Sequence, residues 1–178
     1  MPQLVDPNFN RTVVLLCKHN EEGAFGLVVN RPLATAGPIV VEVRAPGPET
    51  EPSTQVSEHE LQVWVGGPVE PHRSWILDGH GELAEEGVRI VEGLHLSTSP
   101  DLLRRLLGPE PPSRTRLVVG YSGWGPGQLE AELQESAWLI SDVDPELIFA
   151  TPAERMWEAA IRRLGADPAA LQMSRGVH

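Results

Sequence analysis

The sequence predicts an α+β fold, with a mixed, largely antiparallel sheet flanked by about three helices. Three observations carry this prediction. Short β-rich runs alternate with Gly and Pro turns; three later segments carry helix start and stop signals; and the two kinds of element succeed one another without a regular βαβ alternation. The 178 residues are expected to form one domain over 1–178, long enough to bury roughly two-thirds of its unfolded surface without metal or disulfide staples.

The first strong element is "TVVLLC", Thr12 to Cys17, followed by "KHNEEG" and then "AFGLVV", Ala24 to Val29. Two β-rich runs around a short polar segment ending in Gly23 predict a hairpin, closed by the turn-formers Asn30 and Pro32. The unbroken apolar character of both runs predicts strands buried on both faces. A strand "IVVEVR" comes next, then "APGPETEPSTQVSEHE", where Pro, Glu, Ser and Thr leave little to bury. A mobile acidic loop over about 45–60 is expected there. Strand-like pieces resume at "LQVWVGGPV", "SWILDG", "VRIV" and "GLHLST".

The first helix is "SPDLLRRLLG", with Ser99 as cap, Pro100 in the first turn and Gly108 as stop. The second starts near Pro126, with Leu129 and Leu133 on one face and Glu130, Glu132 and Glu135 turned outward. In the third, "TPAERMWEAAIRRLG", Thr151 is the expected cap and Glu154 its capping-box partner. Its stripe of Met156, Trp157, Ala160, Ile161 and Leu164 is expected to pack on the sheet.

Composition narrows the function. With 14 basic and 25 acidic residues the formal charge is −11, which repels nucleic acid and anionic lipid at long range. No helix-turn-helix signature accompanies it, so direct nucleic-acid binding is disfavoured. The longest apolar runs fall far short of the roughly 18 residues of a membrane span. The N-terminus has no basic region followed by an apolar stretch, and Cys17 is the single cysteine. A soluble cytoplasmic protein is expected.

The stretch "GYSGWGPGQLEAEL", Gly120 to Leu133, marks a strand handing over to a helix. As a nucleophile elbow it fails, because the position that needs a second glycine is Trp124. It lacks the Gly-Lys-Ser/Thr of a phosphate loop and the spacing of a dinucleotide fingerprint. The expected role is a structural corner, with glycines at positive φ and Tyr121 and Trp124 packed over the core. Cys17 and His19 lie two apart on a strand and so face the same way, yet a cysteine ending an apolar run is chiefly a core residue. His72, Asp78 and His80 make a poor metal set, and the other histidines are scattered. No catalytic residue, metal site or cofactor is assigned.

Four blocks then align in order: "DPNFNRTVVLLCKHNEEGAFGLVVNRPL", "VWVGGPVEP", "GYSGWGPGQLEAEL" with "SAWL", and "IFATPAERMWEAAIRRLGADPAAL". From Asp6 to about Leu171 they resemble the YqgE/AlgH family of bacterial proteins, of the UPF0301 type. The resemblance implies a bifurcated sheet forming a pseudo-barrel with flanking helices. It also implies an association with transcriptional regulation of alginate production, and no established enzymatic activity. Carried over by position, it implies a ligand or partner groove built from His19, Asn20, Asn30, Arg31, Gly66, Gly67, Ser122, Trp124 and Gln128. Family members usually carry an additional strand before the "DPNF" block, and this sequence starts almost at that block, so an edge open to pairing with another copy is expected.

The expected function is therefore a non-enzymatic binding or regulatory module acting through a protein partner or a small ligand. The alternative is a hydrolase or transferase with His19 as base, Arg31 as anion holder and Ser122 or Cys17 in support.

Overall fold

A computed structural model describes residues 9–34, 39–43, 53–80 and 87–173. The fold class is α+β. Among the described residues the main sheet runs β1 (Val14–Asn20), β2 (Gly23–Val28), β9 (Thr115–Trp124), β6 (Val69–Asp78), β8 (Leu94–Ser97), β7 (Val88–Val91), with β5 (Val63–Val65) beside β9, and β3 (Val40–Val43) and β4 (Ser53–Val56) form a separate ribbon. The chain divides into two compact units, and β6 and β9 contribute residues to both.

The first unit comprises Met1–Arg31, Val65–Arg73 and Val119–His178. It opens with the expected hairpin, β1 (Val14–Asn20) against β2 (Gly23–Val28), in register from Val14 opposite Val28 to Asn20 opposite Gly23. The turn is only Glu21-Glu22, because Asn20 Oδ1 accepts the Glu22 N–H at 3.1 Å and closes the strand end locally. Gly23 is obligatory: it sits at φ +130°, and a Cβ there would stand 2.2 Å from the Trp124 carbonyl oxygen. That approach lets β2 pair with β9 (Thr115–Trp124), Ala24 opposite Trp124 and Gly26 opposite Ser122.

Burial on both faces holds for the end of β2, where Leu27 and Val28 are sealed, but not for β1. Leu15 is buried while Leu16 is 39% exposed, and the register shifts between Leu16 and Lys18. An unbroken apolar run does not reveal which of its residues faces solvent, whereas the bulge does.

Among the described residues four helices complete this unit: α2 (Gln128–Gln134), α3 (Pro145–Ala150), α4 (Ala153–Arg163) and α5 (Pro168–Met173). The sequence pattern does not predict α3 and α5, since six residues carry too little periodicity to stand out. α3 is capped by Asp144, whose side chain accepts the Glu146 N–H. The α4 cap corrects the sequence reading: Pro152 holds that position and Thr151 instead ends α3, so the chain between them is a joint rather than an isolated start. Met156, Trp157 and Ile161 are buried as predicted, Ala160 is half-buried, and Leu164 is exposed.

The second unit comprises Pro32–Trp64 and Ser74–Val118. Here β3 (Val40–Val43) pairs with β4 (Ser53–Val56), Val40 opposite Val56. Part of the expected acidic loop is thus a strand; residues 44–52 lie outside the described set. Just after β4, the buried Ser57 secures the ribbon, its hydroxyl accepting the Ile39 N–H at 2.8 Å. The short β5 spans Val63–Val65, and β6 (Val69–Asp78) is longer than "SWILDG" alone. β8 (Leu94–Ser97) pairs antiparallel with both β6 and β7 (Val88–Val91). α1 (Pro100–Leu107) obeys the predicted punctuation, with Ser99 Oγ accepting the Leu102 N–H and Leu102, Leu103, Leu106 and Leu107 buried.

Candidate functional site

The glycine stretch that ends β9 reaches α2 through a carboxylate that helical spacing alone assigns to the solvent side. Glu132 Oε2 accepts the indole N–H of Trp124 at 3.0 Å and that of Trp138 at 2.6 Å. Its Oε1 accepts Gln128 Nε2 at 2.9 Å, and Gln128 Oε1 in turn accepts the Gly125 backbone N–H at 3.1 Å. Phe9 closes the cluster, with its ring centroid 5.6 Å from Trp138 and 6.3 Å from Trp124. Two indole donors on one carboxylate fix the corner more firmly than glycine geometry would alone.

Beside this corner lies a cavity of about 280 Å³ within the first unit. Its walls come from β1 and the two residues before it, from Leu129 and Leu133 of α2, and from the irregular segment Trp138–Asp144. Leu147 and Ile148 of α3 and Trp157, Ala160, Ile161 and Leu164 of α4 complete it. The lining is predominantly aliphatic and aromatic.

One polar pair marks the rim. His19, at the end of β1, lines the cavity, and its Nε2 lies 2.6 Å from Glu130 Oε1 on α2. The histidine hydrogen bond holds the Glu130 carboxyl below its ordinary 4.5. Glu130 and Glu132 do occupy different faces, as helical spacing requires, and each has its own partner. The sequence pattern does not pair His19 with Glu130, because the two are 111 residues apart.

The nine predicted groove residues do different jobs. His19 and Trp124 line the cavity, and Gln128 braces its corner. Asn20 shapes the hairpin turn. Asn30 clamps backbone, its Oδ1 accepting the Val13 N–H at 2.8 Å and its Nδ2 donating to the Arg11 carbonyl at 2.9 Å. The Arg31 carbonyl accepts the Val65 N–H at 2.8 Å. Ser122 is 1% exposed and donates to the Gly66 carbonyl at 3.1 Å, so its hydroxyl is a packing element. Gly67 is needed there: at φ +154°, a Cβ would stand 2.3 Å from the Tyr121 backbone. Trp124 packs inward as expected, and Gly120 and Gly127 take positive φ. Tyr121 instead lies half-exposed against Phe25, with ring centroids 5.1 Å apart.

Cys17 does not pair with His19. Burial pushes its thiol up to about 12, outweighing a backbone hydrogen bond at Leu27 that acts the other way, and Sγ lies 3.5 Å from the Leu15 carbonyl oxygen. A thiol so protonated is a poor nucleophile.

Comparison with known proteins agrees with the motif blocks. A family model described as AlgH-like matches residues 1–169. A UPF0301 protein of Myxococcus xanthus is 39% identical over 178 residues, covering 100% of this chain and 94% of the relative. One from Pseudoalteromonas translucida is 38% identical over 179 residues, covering 99% and 93%. The solution structure of the AlgH protein from Pseudomonas aeruginosa is similar at a TM-score of 0.69 and 34% identity, over 100% of this chain and 91% of that one. A crystal structure of a protein from Corynebacterium diphtheriae, at 20% identity and a TM-score of 0.65, covers 97% and 85% and bears on the fold alone.

Proposed function

The chain belongs to the AlgH-like family, for which no specific function is established, and on that premise we propose that it is a non-enzymatic cytoplasmic binding module. It acts by taking a small ligand, or an apolar side chain of a protein partner, into the cavity of the first unit. The carrying observation is that cavity, concave and apolar with a sparse polar rim, which is the usual make-up of a binding pocket. The polar residues suited to chemistry support the same reading. Ser122 is committed to Gly66, and the Cys17 thiol is held protonated. Any regulatory effect then arises from an altered affinity for a partner, and a link to transcription is indirect, in keeping with the charge of −11.

A second reading rests on one observation, the His19–Glu130 contact at the cavity rim. A carboxylate that orients an imidazole is half of a general-base device, and it favours a hydrolase or transferase in which His19 activates water.

A thermal-shift screen of metabolites against the purified protein tests both. A ligand at a hundred times its Kd stabilises by about 2.7 kcal/mol. The binding reading expects hits that disappear in Ala160→Phe, which fills the cavity, and persist without turnover in His19→Ala. Hits unaffected by Ala160→Phe would place binding elsewhere. Turnover of a hit that is lost in His19→Ala would establish the enzyme.

A further inference from the structure

The apolar surface does not end where the cavity closes. Five large aliphatic residues of its wall stand open to solvent: Leu16 on β1, Leu139, Ile140 and Val143 on the segment between α2 and α3, and Leu164 after α4. They are half of the ten large hydrophobic residues exposed among the described residues, and they share one rim. Ile140, at 71% exposure, is the most open of the ten. Contiguous apolar surface of this kind marks contact with another macromolecule, since a molecule small enough for the cavity leaves the rim uncovered.

Charge separates the candidate occupants. No lysine or arginine lines the cavity among the described residues, whereas Asp142 and Asp144 do. Arg163 pairs with Asp144, but the exposed Asp142 has no ion pair among the described residues. Glu130 adds a carboxylate beside His19. The rim is thus acidic, on a chain of −11, which disfavours a second copy bearing the same charges and favours a cationic partner. The backbone narrows the choice again. β1 ends the sheet order among the described residues and borders the cavity, but its register shifts between Leu16 and Lys18. Such a bulge blunts a strand edge and favours an occupant whose backbone hydrogen bonds are internal. Resting on the binding reading above, we infer that the groove seats a basic amphipathic helix of a protein partner. Its aliphatic face lies on Ile140 and Leu164 with an anchor in the cavity, and a flanking lysine or arginine meets Asp142.

The test titrates the full-length protein with three peptides of about four helical turns, read by calorimetry and by backbone amide shifts. One carries leucine and lysine at helical spacing, one replaces its lysines with glutamate, and one scrambles the first sequence to destroy the spacing. The leucine–lysine helix is expected to bind at least about tenfold more tightly than either of the others, with shifts centred on Leu139, Ile140 and Leu164. Asp142→Asn should weaken it by roughly two- to fivefold, the worth of an exposed ion pair, and Ile140→Ser by more. Both substitutions fall at exposed positions, so the fold is retained. Equal binding of the glutamate peptide would overturn the inference, and so would equal binding of the scrambled one, which would reduce it to general attraction toward an acidic chain. No peptide binding, with xenon still entering the cavity, would overturn it and leave the cavity reading standing; exclusion of xenon as well would count against both. Rim shifts that grow with protein concentration in the absence of peptide would give the groove to a second copy instead.

Discussion

Glu132 carries more of the site than any residue singled out for chemistry, because a single carboxylate terminates two buried-side indole donors and a glutamine amide. Replacing it with alanine strips the acceptor from both tryptophans at once. Glu132→Ala is therefore expected to destabilise the protein by about 2–4 kcal/mol, whereas Glu135→Ala, on an exposed residue of the same region, should stay within about 0.5 kcal/mol. Chemical denaturation of the two variants checks this. Cys17 offers a second prediction. With the thiol at about 12 against an ordinary 9.0, its native-state reaction with a disulfide reagent at mildly alkaline pH should be slower than in the unfolded chain by on the order of a hundred- to a thousandfold. A native rate equal to the unfolded one would show the thiol to be accessible and ionised.

The His19–Glu130 contact gives a pH dependence whose sign is fixed. The folded-state value of Glu130 is lowered, so its contribution to stability is present above the ordinary carboxylate value and is lost as pH falls through the native one. The stability difference between wild type and Glu130→Gln should accordingly shrink as the solution is acidified below the ordinary value of 4.5. A difference that stays constant or grows on acidification would contradict the contact. This residue-level chemistry is hidden in the sequence for a plain reason. Helical spacing correctly separates Glu130 from Glu132, but spacing within α2 says nothing of His19 on a distant strand. Nor does it point to Trp138, which sits beyond the helix in an irregular segment.

At the scale of elements, legibility tracks the strength of the local signal. The β1–β2 hairpin is readable because two β-rich runs flank a polar turn, and α1 because Ser99, Pro100 and Gly108 punctuate it. α3 escapes detection although Asp144-Pro145 is a sound helix start, since the helix it begins is only six residues long. The same region shows how a sequence template misleads. Thr151 matches a capping box for α4, yet Pro152 holds the cap position of that helix with no side-chain bond, and the side-chain cap of this region belongs to α3, where Asp144 accepts from the Glu146 N–H and also pairs with Arg163 on α4. Asp144→Ala should cost about 0.5–2 kcal/mol, and Thr151→Ala should fall within about 0.5 kcal/mol of wild type. A loss in Thr151→Ala as large as that in Asp144→Ala would show that Thr151 caps α4 after all. The strand β4 is unreadable for the opposite reason, because Pro and Glu around it dominate the composition and mask a four-residue strand.

At the scale of the molecule, the α+β class and the family are both legible, since motif blocks extend along nearly the whole chain and the family match covers residues 1–169. The cavity is not. Its walls come from β1, α2, α3, α4 and the segment between the middle two, and no one of these carries a pattern that distinguishes a wall from a packed core. Net charge disfavours nucleic acid and anionic lipid at long range and points to no location; the three-dimensional arrangement shows where an apolar group fits. The most direct test of that claim is chemical-shift mapping with xenon, which enters dry apolar cavities without needing any polar contact. Saturable shifts are expected, centred on Leu129, Leu133, Trp157 and Ile161 and abolished in a folded Ala160→Phe variant. Shifts that centre elsewhere, or that survive unchanged in that variant, would contradict the claim.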